Sequence, residues 1–299
     1  MTAIFNPLPA HKITHRTKVL DLSTPKVMGV LNVTPDSFSD GGRFNTLDYA
    51  LKHAEHMLHL GVDIIDIGGE STRPNAAVIS TDEELRRVIP VIQSIRKNFG
   101  DEIWLSIDTS NPTIMKHAIE SGADIINDVR ALRRPLAAQT AAKLNCPVVL
   151  MHSRGEPDTM NDLATYEDVL SELKTELQAA ISCAVQAGIK KDHIIIDVGM
   201  GFAKNFSHHQ IILKHIDEII KHFNLPMLFG VSRKRFLGEI LNKMNLAHLQ
   251  NHAAIDRDGI GVLAHLLAIQ QGASIVRVHD VGPMVQAVKF WQIMLENNK

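Results

Sequence analysis

Cysteine is nearly missing from this chain: Cys146 and Cys183 are the only two in 299 residues, far apart and without CxxC spacing. That scarcity excludes a disulfide framework and a thiolate zinc site, and both thiols are expected to be buried and to pack as small hydrophobes. A block of one charge is also lacking, since Lys, Arg, Asp and Glu are interspersed and the formal net charge is −2. Nucleic acid is therefore not expected as a partner, and any anion site must be local. No long apolar run is found. The opening "MTAIFNPLPAHKITHRTKVL" has no signal-peptide core, and nothing later approaches the roughly 20 apolar residues of a membrane span, so a cytoplasmic protein with no membrane partner is expected. Pro/Ser linkers, shifts of composition and sequence repeats are absent as well, which argues for one domain.

Histidine, in contrast, is plentiful, with 16 in the chain. His53, His56 and His59 share a helical spacing that invites a metal reading. Leu47, Ala50, Leu51, Ala54, Met57 and Leu58 already define the apolar stripe of that helix, however, so the histidines fall on its wet side. Hydrophobic residues make up 45% and charged residues 21%, the balance of a soluble globular enzyme.

Eight β-rich runs recur at fairly even spacing: "KVMGVLN", "VDIIDIGG", "IWLSIDTS", "ADIINDV", "PVVLMHS", "HIIIDVG", "PMLFGVS" and "ASIVRVHD". Between them lie amphipathic segments such as Leu47 to Leu60, Asp82 to Asn98, Asn111 to Gly122, Pro135 to Leu144 and Tyr166 to Gly188. The runs are nearly all apolar rather than alternating, as parallel strands covered on both faces should be. Eight strand-then-helix units in this length predict an α/β fold, a single-domain (β/α)8 TIM barrel over 25–299 preceded by a lead-in segment or hairpin over 1–24. A doubly wound open sheet is the alternative, but it would more often carry a GxGxxG turn, and none is present. The stretch from Ile240 to Asp258 reads as an extra helix or loop.

In such a barrel the chemistry collects at the C-terminal strand ends. Nearly every run here closes on a polar residue: Asn32; Gly68, Gly69 and Glu70; Asp108 and Thr109; Asn127 and Asp128; His152; Asp197; Ser232; Arg277 and His279. Any one could be an ordinary turn residue, but together they converge. Asp108, Asn127 and Asp197 offer acceptors with few competing cations, suited to the adjacent ring N–H and amino donors of a 2-amino-4-oxopyrimidine edge. Arg73, Lys234, Arg277 and His279, with Asn32, offer donors suited to phosphate, and a divalent ion could sit beside them.

The segments "MGVLNVTPDSFSDGG", "IDIGGESTRPNA", "SIDTS", "IINDV", "LMHSRGEPDTM", "VSRKRF" and "RVHDV" together resemble the bacterial dihydropteroate synthases, from about Pro25 to Val281. The resemblance implies a pterin-binding barrel enzyme of folate synthesis, usually a homodimer, inhibited by sulfonamides at its 4-aminobenzoate site. Its reaction joins 6-hydroxymethyl-7,8-dihydropterin pyrophosphate to 4-aminobenzoate with Mg2+ assisting. By the same resemblance Asp108, Asn127, Asp197, Gly201 and Lys234 bind pterin. Asn32, Arg73, Arg277 and His279 bind pyrophosphate, with Asn32 also toward the metal. Phe38, Thr72, Pro74 and Phe202 flank the aminobenzoate ring, and Arg235, at the start of a helix, lies near its carboxylate. Among these, Asn32, Arg73, Lys234, Arg277 and His279 form the catalytic group. The loops "TPDSFSDGG" and "GESTRPNA" are expected to order over the reacting centre, which needs glycines to bend and polar groups to close it.

One stretch departs from the family pattern. "IIIDVGMGFAK" has Val198 and Ala203 where a proline and a glycine are more usual, which leaves the backbone of that loop in question. Three rival readings are a methyltetrahydrofolate-dependent methyltransferase, a non-catalytic pterin-binding paralogue and a generic sugar-phosphate barrel. The first needs neither mobile loop nor the "RVHD" anion site, the second would not need the cationic set intact, and the third leaves the acceptor-rich floor unexplained.

Overall fold

The apolar runs close into a barrel, seen in a computed structural model that describes residues 7–34, 43–70, 79–156, 158–245 and 253–296. An antiparallel hairpin comes first, β1 (Lys12–His15) with β2 (Lys18–Asp21). Eight parallel strands follow among the described residues: β3 (Lys26–Asn32), β4 (Ile64–Gly68), β5 (Trp104–Asp108), β6 (Ile125–Asp128), β7 (Val148–Met151), β8 (Ile194–Asp197), β9 (Met227–Phe229) and β10 (Ile275–Val278). They pair in chain order, and β10 closes on β3. The helices that return the chain are α1 (Arg43–His59), α2 (Thr81–Phe99), α3 (Pro112–Glu120), α4 (Ala137–Leu144), α5 (Val169–Gln186), α6 (Phe206–Lys214), α7 (Ile216–Phe223), α8 (Arg235–Lys243), α9 (Asp258–Gln270) and α10 (Val281–Glu296). Among the described residues the units after β8 and β9 carry two α-helices each; of the stretch from Ile240 to Asp258, the end of α8 and a 3-10 turn at Ala254–Arg257 are seen, and 246–252 lie outside the described residues.

Local chemistry explains several helix starts. Ser80 accepts a hydrogen bond from Glu83 N at the head of α2, where Asp82, Glu83 and Glu84 also face the positive end of the helix dipole. Asn111 caps α3 ahead of Pro112, and Asp168 accepts from Leu170 N and Ser171 N at α5.

Two apolar layers hold the barrel. The larger lies between strands and helices, around residues such as Leu31, Ile65, Ile67, Ile107, Ile126 and Trp291. The smaller fills the barrel bore with Met28, Ile64, Trp104, Ile125, Val149, Ile195, Leu228 and Ile275, and the hairpin adds Ile13 and Leu20 beneath them. Lys18 secures this plug, its Nζ donating to Ile103 O at 2.7 Å and Asp124 Oδ2 at 2.5 Å.

Because side chains alternate along a strand, each bore-facing residue is followed two positions later by another on the same side. Ile64 leads to Asp66 and Gly68, Trp104 to Ser106 and Asp108, Ile125 to Asn127, Ile195 to Asp197, and Ile275 to Arg277. The bore is therefore apolar at its base and polar at the C-terminal mouth. Register completes the placement: Asn32 pairs with Gly68, Gly68 with Asp108, and Asp108 with Asn127, so these residues stand at one level.

One expectation is corrected here. Cys146 is buried, but Cys183 is exposed, since it falls off the inward stripe of α5 formed by Leu173, Leu177, Ile181 and Ala184. The histidines of α1 stay off its buried stripe, where Ala50, Ala54 and Met57 pack.

Candidate active site

At the mouth of the bore Gly68 has no side chain to fill the space between its neighbours. A Cβ there would sit 3.6 Å from Asn32 Oδ1 and 3.7 Å from Asp108 Cβ, so glycine keeps the floor open between β3 and β5. One layer below, Asp66 is fully buried and joins both sides of the bore. Its Oδ2 accepts from Arg277 Nε at 2.7 Å and from Asn127 Nδ2 at 3.1 Å, while Oδ1 has no partner. Arg277 Nη2 reaches Asp108 Oδ2 at 2.9 Å.

This geometry corrects the expectation that the acceptors lie away from competing cations. Arg277 reaches into the floor and neutralises two carboxylates, because a buried guanidinium needs paired acceptors as much as a buried carboxylate needs donors. Asp108 nevertheless has its pKa pushed up to about 7, chiefly by burial, with Arg277 opposing and Asp66 and Asp128 adding to the rise. Burial likewise pushes Asp197 up to about 6, against the Gly199 N–H and the Lys234 charge. Lys234 moves the other way, down to about 8, through burial and the repulsion of Arg277.

The loop after β8 brings Asp197, Gly201 and Phe202 to the same mouth. Asp197 Oδ1 accepts from Gly199 N at 2.7 Å. Lys234 Nζ lies 4.1 Å from the centroid of the Phe202 ring, a cation–π contact. Gly201 has φ +84°, and a Cβ on it would meet Lys234 Cδ at 2.9 Å, so glycine serves both conformation and contact there. On the neighbouring strand ends Ser232 Oγ accepts from His279 N at 3.1 Å and lies 3.0 Å from its Nδ1, which orients the imidazole. Lys234 caps α8, whose first residue is Arg235. The Arg235 side chain is 92% exposed and lies 3.6 Å from Glu239 on the same helix.

Asn32, Asp108, Asn127, Asp197, Gly201, Phe202, Lys234, Arg277 and His279 thus gather at the C-terminal end of the barrel. Phe38, Thr72, Arg73 and Pro74 lie outside the described residues. His152, although it closes a strand, turns from the bore toward Glu176, with Nε2 and Oε2 3.0 Å apart. Ser153 donates to Val129 O and accepts from Arg133, while Arg154 binds Glu172 and Glu176. Asp66 is the residue that strand-end reasoning passes over. Its signal is a lone charge inside the apolar run "IIDIG", on the same parity as Gly68. No cluster of three or more His, Cys, Asp or Glu arranged for a metal occurs among the described residues.

Fold and site together define a (β/α)8 enzyme whose pocket pairs a buried acidic and amide floor with a cationic rim. Residues 28–279 match the family described as pterin binding enzyme. The dihydropteroate synthase of Escherichia coli K12 is 47% identical over 270 residues, covering 90% of this chain and 92% of that protein. The solved Xanthomonas albilineans dihydropteroate synthase with 4-aminobenzoic acid has a TM-score of 0.87 at 41% identity, covering 96% of this chain and 99% of that one. The Yersinia pestis dihydropteroate synthase in complex with a sulfonamide drug has a TM-score of 0.87 at 44% identity, covering 95% and 99%. The chain belongs to the dihydropteroate synthase family of pterin-binding enzymes.

Proposed function

We propose that the chain condenses 6-hydroxymethyl-7,8-dihydropterin pyrophosphate with 4-aminobenzoate, giving 7,8-dihydropteroate and pyrophosphate in folate synthesis. The observation that carries this reading is the facing of Asp108, Asn127 and Asp197 by Lys234, Arg277 and His279 across one end of the barrel. A pterin edge carries ring N–H and amino donors side by side, which the Asp197 carboxylate can accept together, while the Asn127 amide matches a neighbouring donor and acceptor. Asp108 and Lys234 complete the pterin floor, with Gly201 leaving room for the lysine. Asn32, Arg73, Arg277 and His279 hold pyrophosphate. Phe38, Thr72, Pro74 and Phe202 flank the aminobenzoate ring, and the N-terminus of α8 at Arg235 receives its carboxylate.

The C–O bond to pyrophosphate breaks as positive charge builds on the pterin methylene, in a dissociative, SN1-like substitution. Arg73, Arg277 and His279 stabilise the departing anion. The arylamine is neutral near pH 7, so its lone pair forms the new C–N bond directly and its proton leaves afterwards to solvent or pyrophosphate. Mg2+ fits the donor set: Asn32 offers a hard amide oxygen at the rim, and magnesium characteristically takes its remaining oxygens from phosphate and water. When bound it would neutralise charge on the leaving group.

The partner in solution is a second copy of the chain. Leu263 and Leu267 on α9 and Phe290 and Ile293 on α10 are 55%, 47%, 55% and 58% exposed on two adjacent helices, an apolar face suited to a two-fold interface. No described helix is long and apolar enough to cross a membrane. Two free cysteines fit a reducing, cytoplasmic setting.

The test is pyrophosphate release from the purified protein with the dihydropterin pyrophosphate and Mg2+, with and without 4-aminobenzoate, and chromatography of the product. Aminobenzoate-dependent formation of 7,8-dihydropteroate is the expected result. Pterin binding without product would refute it.

A further inference from the structure

The loop after β8 is bent by three residues in the left-handed region: Gly199 at φ 64°, Gly201 at 84° and Ala203 at 47°. Alanine lacks glycine's freedom there, so something must hold the turn. Two side chains do so from outside the pocket. Tyr166 OH donates to Ala203 O at 2.9 Å. Lys204, only 7% exposed, uses all three ammonium N–H groups: 2.9 Å to His152 Nδ1, 3.1 Å to Gly199 O and 3.0 Å to Phe202 O. His152 therefore accepts at Nδ1 and carries its proton on Nε2, which faces Glu176. Burial and the Lys204 charge keep that ring neutral, with a pKa near 4.

The arrangement reaches the Asp197 carboxylate through a single residue, Gly199. Gly199 gives its carbonyl to Lys204 and its N–H to the Asp197 carboxylate. A Cβ on Gly199 would lie 1.9 Å from His152 O, so the loops after β7 and β8 touch backbone to backbone. Phe202, whose carbonyl Lys204 also binds, presents its ring to Lys234. On the far side Arg154 lies 3.8 Å over the Tyr166 ring and binds Glu172 and Glu176, tying the device to α5.

We propose that Lys204 is a positioning residue for the pterin pocket: by gathering the carbonyls of Gly199 and Phe202 against His152, it sets the Asp197 carboxylate and the Phe202 ring. This rests on the assignment of Asp197 to pterin, and it gives the "MHSR" segment a role in which its side chains shape the site without touching substrate. Burial pulls the Lys204 pKa down to about 7, opposed by the charges of Asp197 and Glu176.

The experiment uses the full chain with Lys204→Met, Tyr166→Phe and Asp197→Ala. Calorimetry is run with 6-hydroxymethylpterin and, separately, with pyrophosphate and Mg2+; hydrogen exchange is followed over 198–204. For Lys204→Met the pterin Kd should rise about 10-fold or more, as loss of a group that orients site residues typically does, while the pyrophosphate Kd stays within about 2-fold. Exchange should quicken in 198–204 and stay unchanged in the barrel strands, and KM for the pterin substrate should rise more than kcat falls. Wild-type pterin affinity in a folded Lys204→Met protein, or equal loss for both ligands, overturns the proposal. If that variant does not fold, Tyr166→Phe decides: a loss of about 2- to 5-fold confined to pterin supports it and no loss overturns it. If Asp197→Ala binds pterin normally, the site assignment fails and the proposal with it. If Asp197→Ala loses pterin and folded Lys204→Met does not, the positioning role alone fails.

Discussion

Removing the carboxylate of Asp66 should separate a structural role from an electrostatic one. Asp66→Ala deletes the acceptor for both Arg277 Nε at 2.7 Å and Asn127 Nδ2 at 3.1 Å, in a place without solvent. An unsatisfied buried amide costs about 1–3 kcal/mol. Arg277 keeps Asp108, so its loss falls below the roughly 3–5 kcal/mol of a broken buried ion pair. Together these give about 3–5 kcal/mol, or a fall in Tm of about 6–15 °C at 2–3 °C per kcal/mol. Asp66→Asn should cost about 1 kcal/mol or less, because the amide oxygen still accepts one bond and a carboxylate with an orphan oxygen no longer has to be buried. The asparagine variant then reports on charge. Asp66 is one of the charges that raise Asp108 to about 7, so its removal lowers the Asp108 pKa. If Asp108 and Asp197 accept from pterin as ionised carboxylates, as proposed, wild-type kcat/KM for the pterin substrate is present above neutral pH and lost as pH falls through about 7 and 6, where the two groups take protons. In Asp66→Asn that acid limb should move to lower pH. A limb that stays put or moves upward, or an alanine variant as stable as wild type, would refute the reasoning.

Asp197→Ala should weaken 6-hydroxymethylpterin by about 10- to 100-fold and pyrophosphate little, as expected for loss of one charge-assisted contact; Arg277→Lys should weaken pyrophosphate more than pterin. Equal losses in calorimetry would contradict the division of the pocket. Leu267→Glu, on the exposed face of α9 and α10, should give a monomer by sedimentation, and a wild-type chain already monomeric at assay concentration would remove the basis for that interface.

Much of the site could be read from the chain because a (β/α)8 barrel sends every strand end to one face. Once "ADIINDV" and "HIIIDVG" are strands, Asn127 and Asp197 have only one place to go. Asp66 escaped that logic by standing two residues before its strand end, in a run that looks uniformly apolar. Its polarity makes sense only when the barrel closes and Arg277, 211 residues away, arrives beside it. His152 shows the converse: it closes a strand yet turns outward, because Lys204 and Glu176 offer its two nitrogens better partners than the bore does.

Local order and fold class were settled by the sequence alone, since strand runs, caps and helix stripes depend on neighbours a few residues apart. Which polar groups meet was decided by tertiary structure. Barrel closure, strand register and the left-handed turns at Gly199, Gly201 and Ala203 set distances between groups far apart in the chain. Hydrogen bonds and charges in a buried site respond to those distances on the scale of an ångström, which no periodicity in the sequence records.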